Sequence, residues 1–285
     1  MTMSVQAATA PVRVPQTRLA ESVRLVELPG GLRLPYVAQG DPDGTPVVLL
    51  HGLSDSWRSY EPLLPELPES IYAVALTQRG HGDADRPLGG YAPADFAADI
   101  AAFLDALDLE QAVIVGHSMG SVNGAQFAGT YPDRTSGLVL MAGFHRFQEN
   151  PGIVEFSDSV LSKLEDPIDP AFARGFQEET TARPIPSEQM DIFVAESLKV
   201  PARVWREVAA GMMTDVHVER MGDISAPTLI LWGDRDTFVP ESDQLQLRQA
   251  IPGSRLEIYE GIGHALHWEA PARVARDIAA FVASI

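Results

Sequence analysis

The sequence of 285 residues contains no cysteine, and this absence excludes disulfide bonds, thiolate nucleophiles and cysteine-ligated metal ions. It also lacks any run of basic residues, because 21 Lys and Arg are outnumbered by 39 Asp and Glu, for a formal net charge of −18. Such a charge would repel phosphates, so neither nucleic acid nor an anionic membrane is an expected partner. No apolar run approaches the roughly 18 to 20 residues that span a bilayer. The missing features therefore exclude several whole classes of function.

The beginning of the chain lacks the cationic start and long apolar stretch of a secretory signal. We therefore expect a cytoplasmic protein in which residues 1–18 form a mobile tail. A chain of this length can bury one large core, or one core that carries an inserted lobe. No pattern in the sequence indicates a particular oligomeric state.

From residue 23 onward, short apolar runs alternate with helical patterns, which is typical of strands joined by crossover helices in a mostly parallel sheet. A Pro29-Gly30-Gly31 turn separates the first two runs and predicts a hairpin at the edge of the sheet. The predicted strands span residues 23–27, 32–37, 47–50, 72–76, 112–115, 137–141, 228–232 and 256–259. The clearest predicted helices span residues 94–107, 119–130, 241–250 and 271–285.

This alternation stops between residues 144 and 216, where helix-like pieces are broken by six prolines. We interpret residues 144–216 as a helical lid inserted into a core domain formed by residues 19–143 and 217–285. Most of the lid's apolar side chains are expected to pack within the lid and against the core rather than to face a ligand. These side chains include Phe156, Leu164, Phe172, Phe176, Phe193, Trp205, Met212 and Met213.

A Gly116-His117-Ser118-Met119-Gly120 motif follows a predicted strand and opens a predicted helix. In that context a G-x-S-x-G pattern places the serine on a sharp, strained turn with its hydroxyl exposed. The two glycines are needed because any side chain at their positions would collide with neighbouring backbone. The motif therefore predicts that Ser118 is a nucleophile.

The motif in its strand-to-helix context resembles the α/β-hydrolase superfamily, and the similarity extends from about residue 23 to the C-terminus. The resemblance implies an α/β-hydrolase fold, with a mostly parallel eight-stranded sheet flanked by helices. It also implies an oxyanion hole made of two backbone N–H groups. The expected donors are Met119, which follows the nucleophile, and Leu53, which follows His51-Gly52 at the end of a strand.

The same resemblance implies a carboxylate and then a histidine after the serine in chain order. A serine hydroxyl needs a base to remove its proton, and the base needs a carboxylate that orients it. Asp236, three residues after Gly233, is the expected acid, with Asp234 as the alternative. His264 follows the last predicted strand, where the superfamily places its base.

The other histidines have no spacing typical of a metal site, such as H-E-x-x-H. They lie in glycine turns, in the serine motif, after the expected base, or in and beside the lid. Since protein groups supply the nucleophile, the base and the oxyanion donors, we expect no metal ion and no organic cofactor.

A serine nucleophile favours a carbonyl substrate, because attack on an epoxide or a haloalkane would leave an ether that water cannot open. The segment from His51 to Trp57 nevertheless resembles that of epoxide hydrolases, so ancestry and chemistry differ here. We expect a carboxylesterase or lactonase that acts on a small, largely apolar molecule through an acyl-enzyme. The expected substrate-binding residues are Leu53, Phe144, Phe176, Met213 and Val239.

Three alternatives stay open. A C–C bond hydrolase of a diketone would use the same triad, although the Gly-Pro-Gly extension common after His-Gly in those enzymes is absent. A cofactor-free perhydrolase would also keep the triad. A third alternative is a small-molecule receptor, in which the triad is retained but binding matters more than turnover.

Overall fold

A computed structural model describes residues 22–214 and 217–285, and its centre is an eight-stranded sheet. The strands are β1 (Arg24–Glu27), β2 (Arg33–Gln39), β3 (Thr45–Leu50), β4 (Ile71–Leu76), β5 (Ala112–His117), β6 (Thr135–Met141), β7 (Thr228–Gly233) and β8 (Arg255–Tyr259). Their order across the sheet is β1-β2-β4-β3-β5-β6-β7-β8. The β1–β2 and β2–β4 pairs are antiparallel and all other pairs are parallel. The predicted mostly parallel sheet and its edge hairpin are confirmed.

The helices of the described residues flank this sheet and connect its strands. They are α1 (Pro93–Ala106), α2 (Met119–Thr130), α3 (Pro151–Ser159), α4 (Pro170–Glu179), α5 (Ser187–Ser197), α6 (Ala202–Met213), α7 (Glu241–Ala250), α8 (Leu266–Glu269) and α9 (Pro271–Val282). Helix α9 is amphipathic, since Val274, Ile278 and Phe281 recur at helical spacing and are all buried. All four helices predicted from the sequence are present, and the last ends at Val282 rather than at residue 285.

Two apolar layers cover the two faces of the sheet, because successive side chains of a strand point to opposite faces. In β3, Val48 and Leu50 belong to the layer covered by α1, α2 and α7. Val47 and Leu49 belong to the opposite layer, which α9 covers. Burial on both faces explains why the central strands read as nearly continuous apolar runs.

Residues 144–214, here called the inserted segment, lie between β6 and β7 and contain α3 to α6 but no strand. Aromatic contacts stabilise this segment internally: the ring of Trp205 lies 5.7 Å from that of Phe172 and 5.1 Å from that of Phe176. The predicted tail, residues 1–18, and the last two residues of the predicted lid lie outside the described residues. Within the part of the chain that the structure describes, every helix is too short or too polar to cross a membrane.

The parallel strands bring four predicted site residues to one edge of the sheet. Leu53 follows β3, Ser118 follows β5, Asp236 follows β7 and His264 follows β8. Since the carboxyl ends of parallel strands share one edge, the sheet itself brings these residues together, as in other open α/β sheets that bind ligands there.

Candidate active site

Ser118 occupies a strained turn between β5 and α2, with φ +52° and ψ −118°. A residue with a side chain rarely adopts a positive φ, so the surrounding structure must hold it there. The Ser118 N–H donates a hydrogen bond to the Met141 carbonyl of the neighbouring strand at 3.0 Å. The motif therefore forms the predicted sharp turn.

The glycines on either side of the serine are required by close backbone contacts. A Cβ atom on Gly116 would lie 2.1 Å from the carbonyl oxygen of Gly120. A Cβ atom on Gly120 would lie 2.1 Å from the carbonyl oxygen of Leu50, at the end of β3. Any side chain at these positions would displace backbone, which is the reason inferred from the sequence pattern.

His264 and Asp236 form a buried hydrogen-bonded pair. His264 Nδ1 lies 2.8 Å from Asp236 Oδ2, and the two side chains are 5% and 0% exposed. The other carboxylate oxygen, Oδ1, accepts the backbone N–H groups of Phe238 at 2.8 Å and Val239 at 2.9 Å. With Oδ1 occupied in this way, Oδ2 is directed to the imidazole and can fix its orientation and tautomer.

Asp234, the alternative acid, binds a different group. Its Oδ1 accepts the Gly261 N–H at 2.5 Å, and its side chain is 35% exposed. This bond ties the loop after β7 to the turn that precedes His264. The structure thus brings Asp236, and not Asp234, to the imidazole.

Ser118 and His264 line the same cavity, in which about 480 Å³ is free of protein atoms, a volume that includes space open to solvent. The inserted segment supplies nine of the fourteen lining residues, so it decides most of the cavity's shape. The wall is mainly apolar, and its polar members besides Ser118 and His264 are Ser157 and Thr180. The residues that line it are Leu53, Ser118, Met119, Phe144, Phe147, Ile153, Phe156, Ser157, Leu161, Phe176, Thr180, Met212, Phe238 and His264.

Of the predicted substrate-binding residues, Leu53, Phe144 and Phe176 lie in the cavity wall, whereas Met213 and Val239 do not. Met212, and not its neighbour Met213, lines the wall. Successive side chains of a helix point about 100° apart around its axis, so two adjacent residues of α6 face different directions. Val239 is fully buried beside the wall, and its N–H is bonded to Asp236. The structure therefore places Met213 and Val239 outside the wall that the other three residues share, and contact of any of the five with a substrate stays a prediction.

Leu53 and Met119 both border the cavity, and their backbone N–H groups donate to no other protein group within the described residues. The N–H of Met119 is available because it is the first residue of α2, where no preceding turn supplies a carbonyl acceptor. Two unused donors, one in the loop after β3 and one at the N-terminus of α2, can stabilise an anion that forms next to Ser118.

The neighbouring histidines are buried and uncharged at neutral pH. Burial lowers the pKa of His267 to about 3, with a further contribution from His264. Burial, and then unfavourable electrostatic interactions of a protonated His117 ring with His267 and His264, hold the pKa of His117 well below its usual range. Across residues 22–214 and 217–285, no group of three or more His, Asp or Glu side chains is arranged to hold a metal ion.

A buried polar cluster beside the cavity was not anticipated from the sequence. Its members are Ser54, Asp55, Gln177 and Ser197, each at most 4% exposed. Burial raises the pKa of Asp55 to about 7, against the opposing effects of hydrogen bonds from Gln177 and Ser59. The only sequence signal was the polar Ser54-Asp55-Ser56 run directly after an apolar strand.

The fold and this site define the class of protein, a hydrolase of the α/β-hydrolase superfamily. The sequence pattern of the alpha/beta hydrolase fold family matches residues 45–271, so the chain belongs to that family.

Individual relatives differ in the reaction for which they are named. The chain is 31% identical, over 79% of its length and 86% of the relative, to a Synechocystis protein with the provisional name non-heme chloroperoxidase. It is 29% identical, over 90% of its length and 93% of the relative, to a 2-hydroxy-6-oxononadienedioate/2-hydroxy-6-oxononatrienedioate hydrolase of Klebsiella pneumoniae. Its fold is similar to that of an esterase from Exiguobacterium antarcticum, with a TM-score of 0.83, 22% identity and coverage of 91% and 98% of the two chains.

Proposed function

We propose that this protein is a serine hydrolase of small carboxylic esters, with Ser118 as nucleophile, His264 as base and Asp236 as the acid that orients the base. The observation that carries the proposal is the buried His264–Asp236 pair, joined at 2.8 Å, in a cavity that Ser118 also lines. The strained backbone at Ser118 supports the proposal, because such strain is concentrated at functional sites.

In the proposed reaction, His264 Nε2 takes the proton of Ser118 Oγ while that oxygen attacks the carbonyl carbon of the ester. Asp236 accepts the Nδ1–H and stabilises the imidazolium. The N–H groups of Leu53 and Met119 stabilise the negative oxygen of the tetrahedral intermediate. His264 then protonates the leaving alcohol, and the Ser118 acyl ester remains. Water, activated in the same way, releases the acid and restores Ser118.

The cavity wall favours an uncharged, compact acyl or alcohol group. Of the described residues that line it, none is Lys or Arg, so a substrate carboxylate would be buried there without a cationic partner. Burying an unpaired charge costs several kcal/mol. This argues against a dicarboxylate such as the one named for the Klebsiella relative, and for a neutral ester or lactone.

The nucleophile is tested by Ser118→Ala with p-nitrophenyl butyrate as substrate. We expect kcat to fall by about three or more decades, because no other group can form the acyl-enzyme. A fluorophosphonate probe should label the wild type and not this variant, while Ser162→Ala, at an exposed serine, is the matched control. Near-native turnover by Ser118→Ala would refute the proposal. Tight ligand binding by the wild type without turnover would favour the receptor alternative.

The substrate class is tested with two esters that differ by one charge, p-nitrophenyl butyrate and p-nitrophenyl hemisuccinate. We expect kcat/KM to be at least about tenfold higher for the neutral ester, equivalent to about 1.4 kcal/mol. Met212→Ala should change the preference between short and long acyl chains by about 1 to 3 kcal/mol. Met213→Ala removes an adjacent methionine outside the wall and should change all substrates alike. A preference for hemisuccinate would contradict the argument from charge.

Perhydrolysis is a second candidate, favoured by the 31% identity to the Synechocystis relative that is provisionally named a chloroperoxidase. Hydrogen peroxide would replace water in attacking the Ser118 acyl ester, and a peracid would leave while the serine regains its proton. Peracid formed from an ester and hydrogen peroxide faster than the ester is hydrolysed would establish this reaction. Ester turnover without peracid would exclude it.

A further inference from the structure

The C-terminal half of α4 lies between the cavity and the loop that follows β3. Phe176 and Thr180 line the cavity, while Gln177, between them in sequence, is directed into the protein and only 1% exposed. A glutamine is rarely buried so completely, and its amide must find partners there. Those partners show what the helix holds in place.

The Gln177 side chain binds the loop after β3. Its Nε2 donates to Asp55 Oδ1 at 2.9 Å and to Ser197 Oγ of α5 at 2.7 Å, and it lies 3.3 Å from Ser54 Oγ. The Ser54 and Ser197 hydroxyls are in turn 3.0 Å apart. One amide thus joins two helices of the inserted segment to two consecutive residues of the core.

Leu53 is held inside the turn that this amide binds. The Asp55 N–H donates to the Gly52 carbonyl at 3.3 Å and closes a turn around Leu53 and Ser54. Ser54 has φ +69°, a strained conformation that the surrounding contacts must maintain. The direction of the Leu53 N–H therefore depends on the position of the Ser54 and Asp55 side chains.

The same end of α4 also reaches the loop that carries His264. The Thr180 carbonyl accepts the Ala265 N–H at 2.8 Å. Glu269 reinforces this contact, since its Oε1 accepts the Gly263 N–H at 2.8 Å and the Ala182 N–H at 3.1 Å. One segment of about four residues is thus bonded to both loops of the candidate active site.

We propose that Gln177 is a positioning residue that holds the Leu53 N–H where the anionic oxygen of the tetrahedral intermediate forms, an inference that rests on the function proposed above. Gln177 does not touch the substrate. It acts through Ser54 and Asp55, and it links the cavity wall formed by α4 to the oxyanion donor.

This role predicts a loss in kcat rather than in KM. The oxyanion exists only in the transition state and the tetrahedral intermediate, so a displaced donor weakens binding of those species but not of the ground state. Removing one oxyanion donor typically lowers kcat by about 100- to 1000-fold. Since Gln177→Leu would displace the Leu53 N–H and not delete it, we expect a decrease of about 10- to 100-fold, with KM changed by less than about threefold.

The experiment compares five variants with the wild type on p-nitrophenyl butyrate. Gln177→Leu and Asp55→Leu should both lose kcat, and the double variant should lose little more than either alone, because both remove the same link. Asp55→Asn keeps a carbonyl acceptor for Gln177 and should lose much less than Asp55→Leu. Gln246→Leu, at an exposed glutamine of α7, is the matched control. If Gln177→Leu does not fold, Gln177→Asn, whose amide is one methylene group too short, should show the same loss.

A trifluoromethyl ketone that forms a tetrahedral adduct with serine provides a second measurement. Its affinity should fall by about the same factor as kcat/KM in Gln177→Leu, and the affinity for the carboxylic acid product should not. If Gln177→Leu had an unchanged kcat, or only a higher KM, the positioning role would be overturned. The proposed function would still hold, provided that the wild type hydrolyses esters and is labelled at Ser118. If Ser118→Ala instead kept both ester turnover and fluorophosphonate labelling, the proposed function would be refuted.

Discussion

Replacing Asp236 by asparagine tests the candidate site most directly, because the structure defines how the new amide must be oriented. Asp236 Oδ1 accepts two backbone N–H groups, from Phe238 and Val239. If the asparagine turned its NH₂ group toward them, two buried donors would lose their acceptor, at about 1 to 3 kcal/mol each. The asparagine therefore keeps its oxygen there and presents NH₂ to His264.

That orientation forces the imidazole into the wrong tautomer for catalysis. His264 Nδ1 must accept the asparagine N–H, so the ring proton moves to Nε2, which can then no longer accept the proton of Ser118. The expected loss in kcat is about 10³- to 10⁴-fold, equivalent to about 4 to 5.5 kcal/mol in the activation free energy. The fold should be retained, since the hydrogen bonds of Oδ1 remain.

The assay measures kcat, KM and the rate of fluorophosphonate labelling for Asp236→Asn beside Asp234→Asn. Asp234 is the matched control, because its bond to the Gly261 N–H needs only an acceptor oxygen that asparagine also has. We expect Asp234→Asn to stay within about threefold of the wild type, since exposed side chains contribute little. A larger loss in Asp234→Asn than in Asp236→Asn would refute the assignment of the acid.

The remaining predictions concern backbone packing, pH dependence and metal ions. Gly120→Ala should lower the free energy of unfolding in urea by about 1 to 3 kcal/mol, because its Cβ would meet the Leu50 carbonyl. The Cβ of Gly175→Ala in α4 would meet no other atom, so this variant should raise the free energy of unfolding by about 0.5 to 1 kcal/mol. Equal effects of the two substitutions would contradict the packing argument. Burial raises the pKa of Asp55 from 3.8 to about 7 in the fold. The folded protein therefore binds a proton at Asp55 more tightly than the unfolded chain does. The stability gained from this proton should be fully present below about pH 4 and lost as the pH rises through 7. Urea unfolding at pH 5 and pH 8 should therefore show a smaller pH dependence in Asp55→Asn than in the wild type, and an identical dependence would refute the shift. Dialysis against EDTA should leave kcat/KM unchanged, and a loss that zinc restores would show that the histidines bind metal.

Local patterns were sufficient for the strands, the four helices predicted outside residues 144–216, and the serine turn. A strand covered on both faces has to be apolar throughout, so β3 and β7 are visible in the sequence. The glycines beside Ser118 are equally visible, because the collision they avoid involves backbone only a few residues away or in the neighbouring strand. In both cases the physical constraint acts on consecutive residues and leaves a pattern that can be read.

The residues that line the cavity could not be predicted from local sequence patterns. Met212 and Met213 are adjacent and chemically identical, and the rotation of α6 against its neighbours decides which of them lines the cavity. The resemblance favoured Asp236 and kept Asp234 as the alternative, and the 2.8 Å contact between Asp236 and His264 is what distinguishes the two in the structure.

By itself, the sequence determined the fold class and the serine turn, since periodicity and short motifs encode them locally, whereas the order of the candidate triad followed from the resemblance to the α/β-hydrolase superfamily. Only the tertiary structure decided which aspartate reaches the imidazole, which apolar side chains line the cavity, and that Gln177 binds Asp55. These last two residues are separated by 122 positions, and their contact depends on how the inserted segment packs onto the sheet. A hydrogen bond of that kind has no local pattern, because neither residue constrains the amino acids next to the other in the chain.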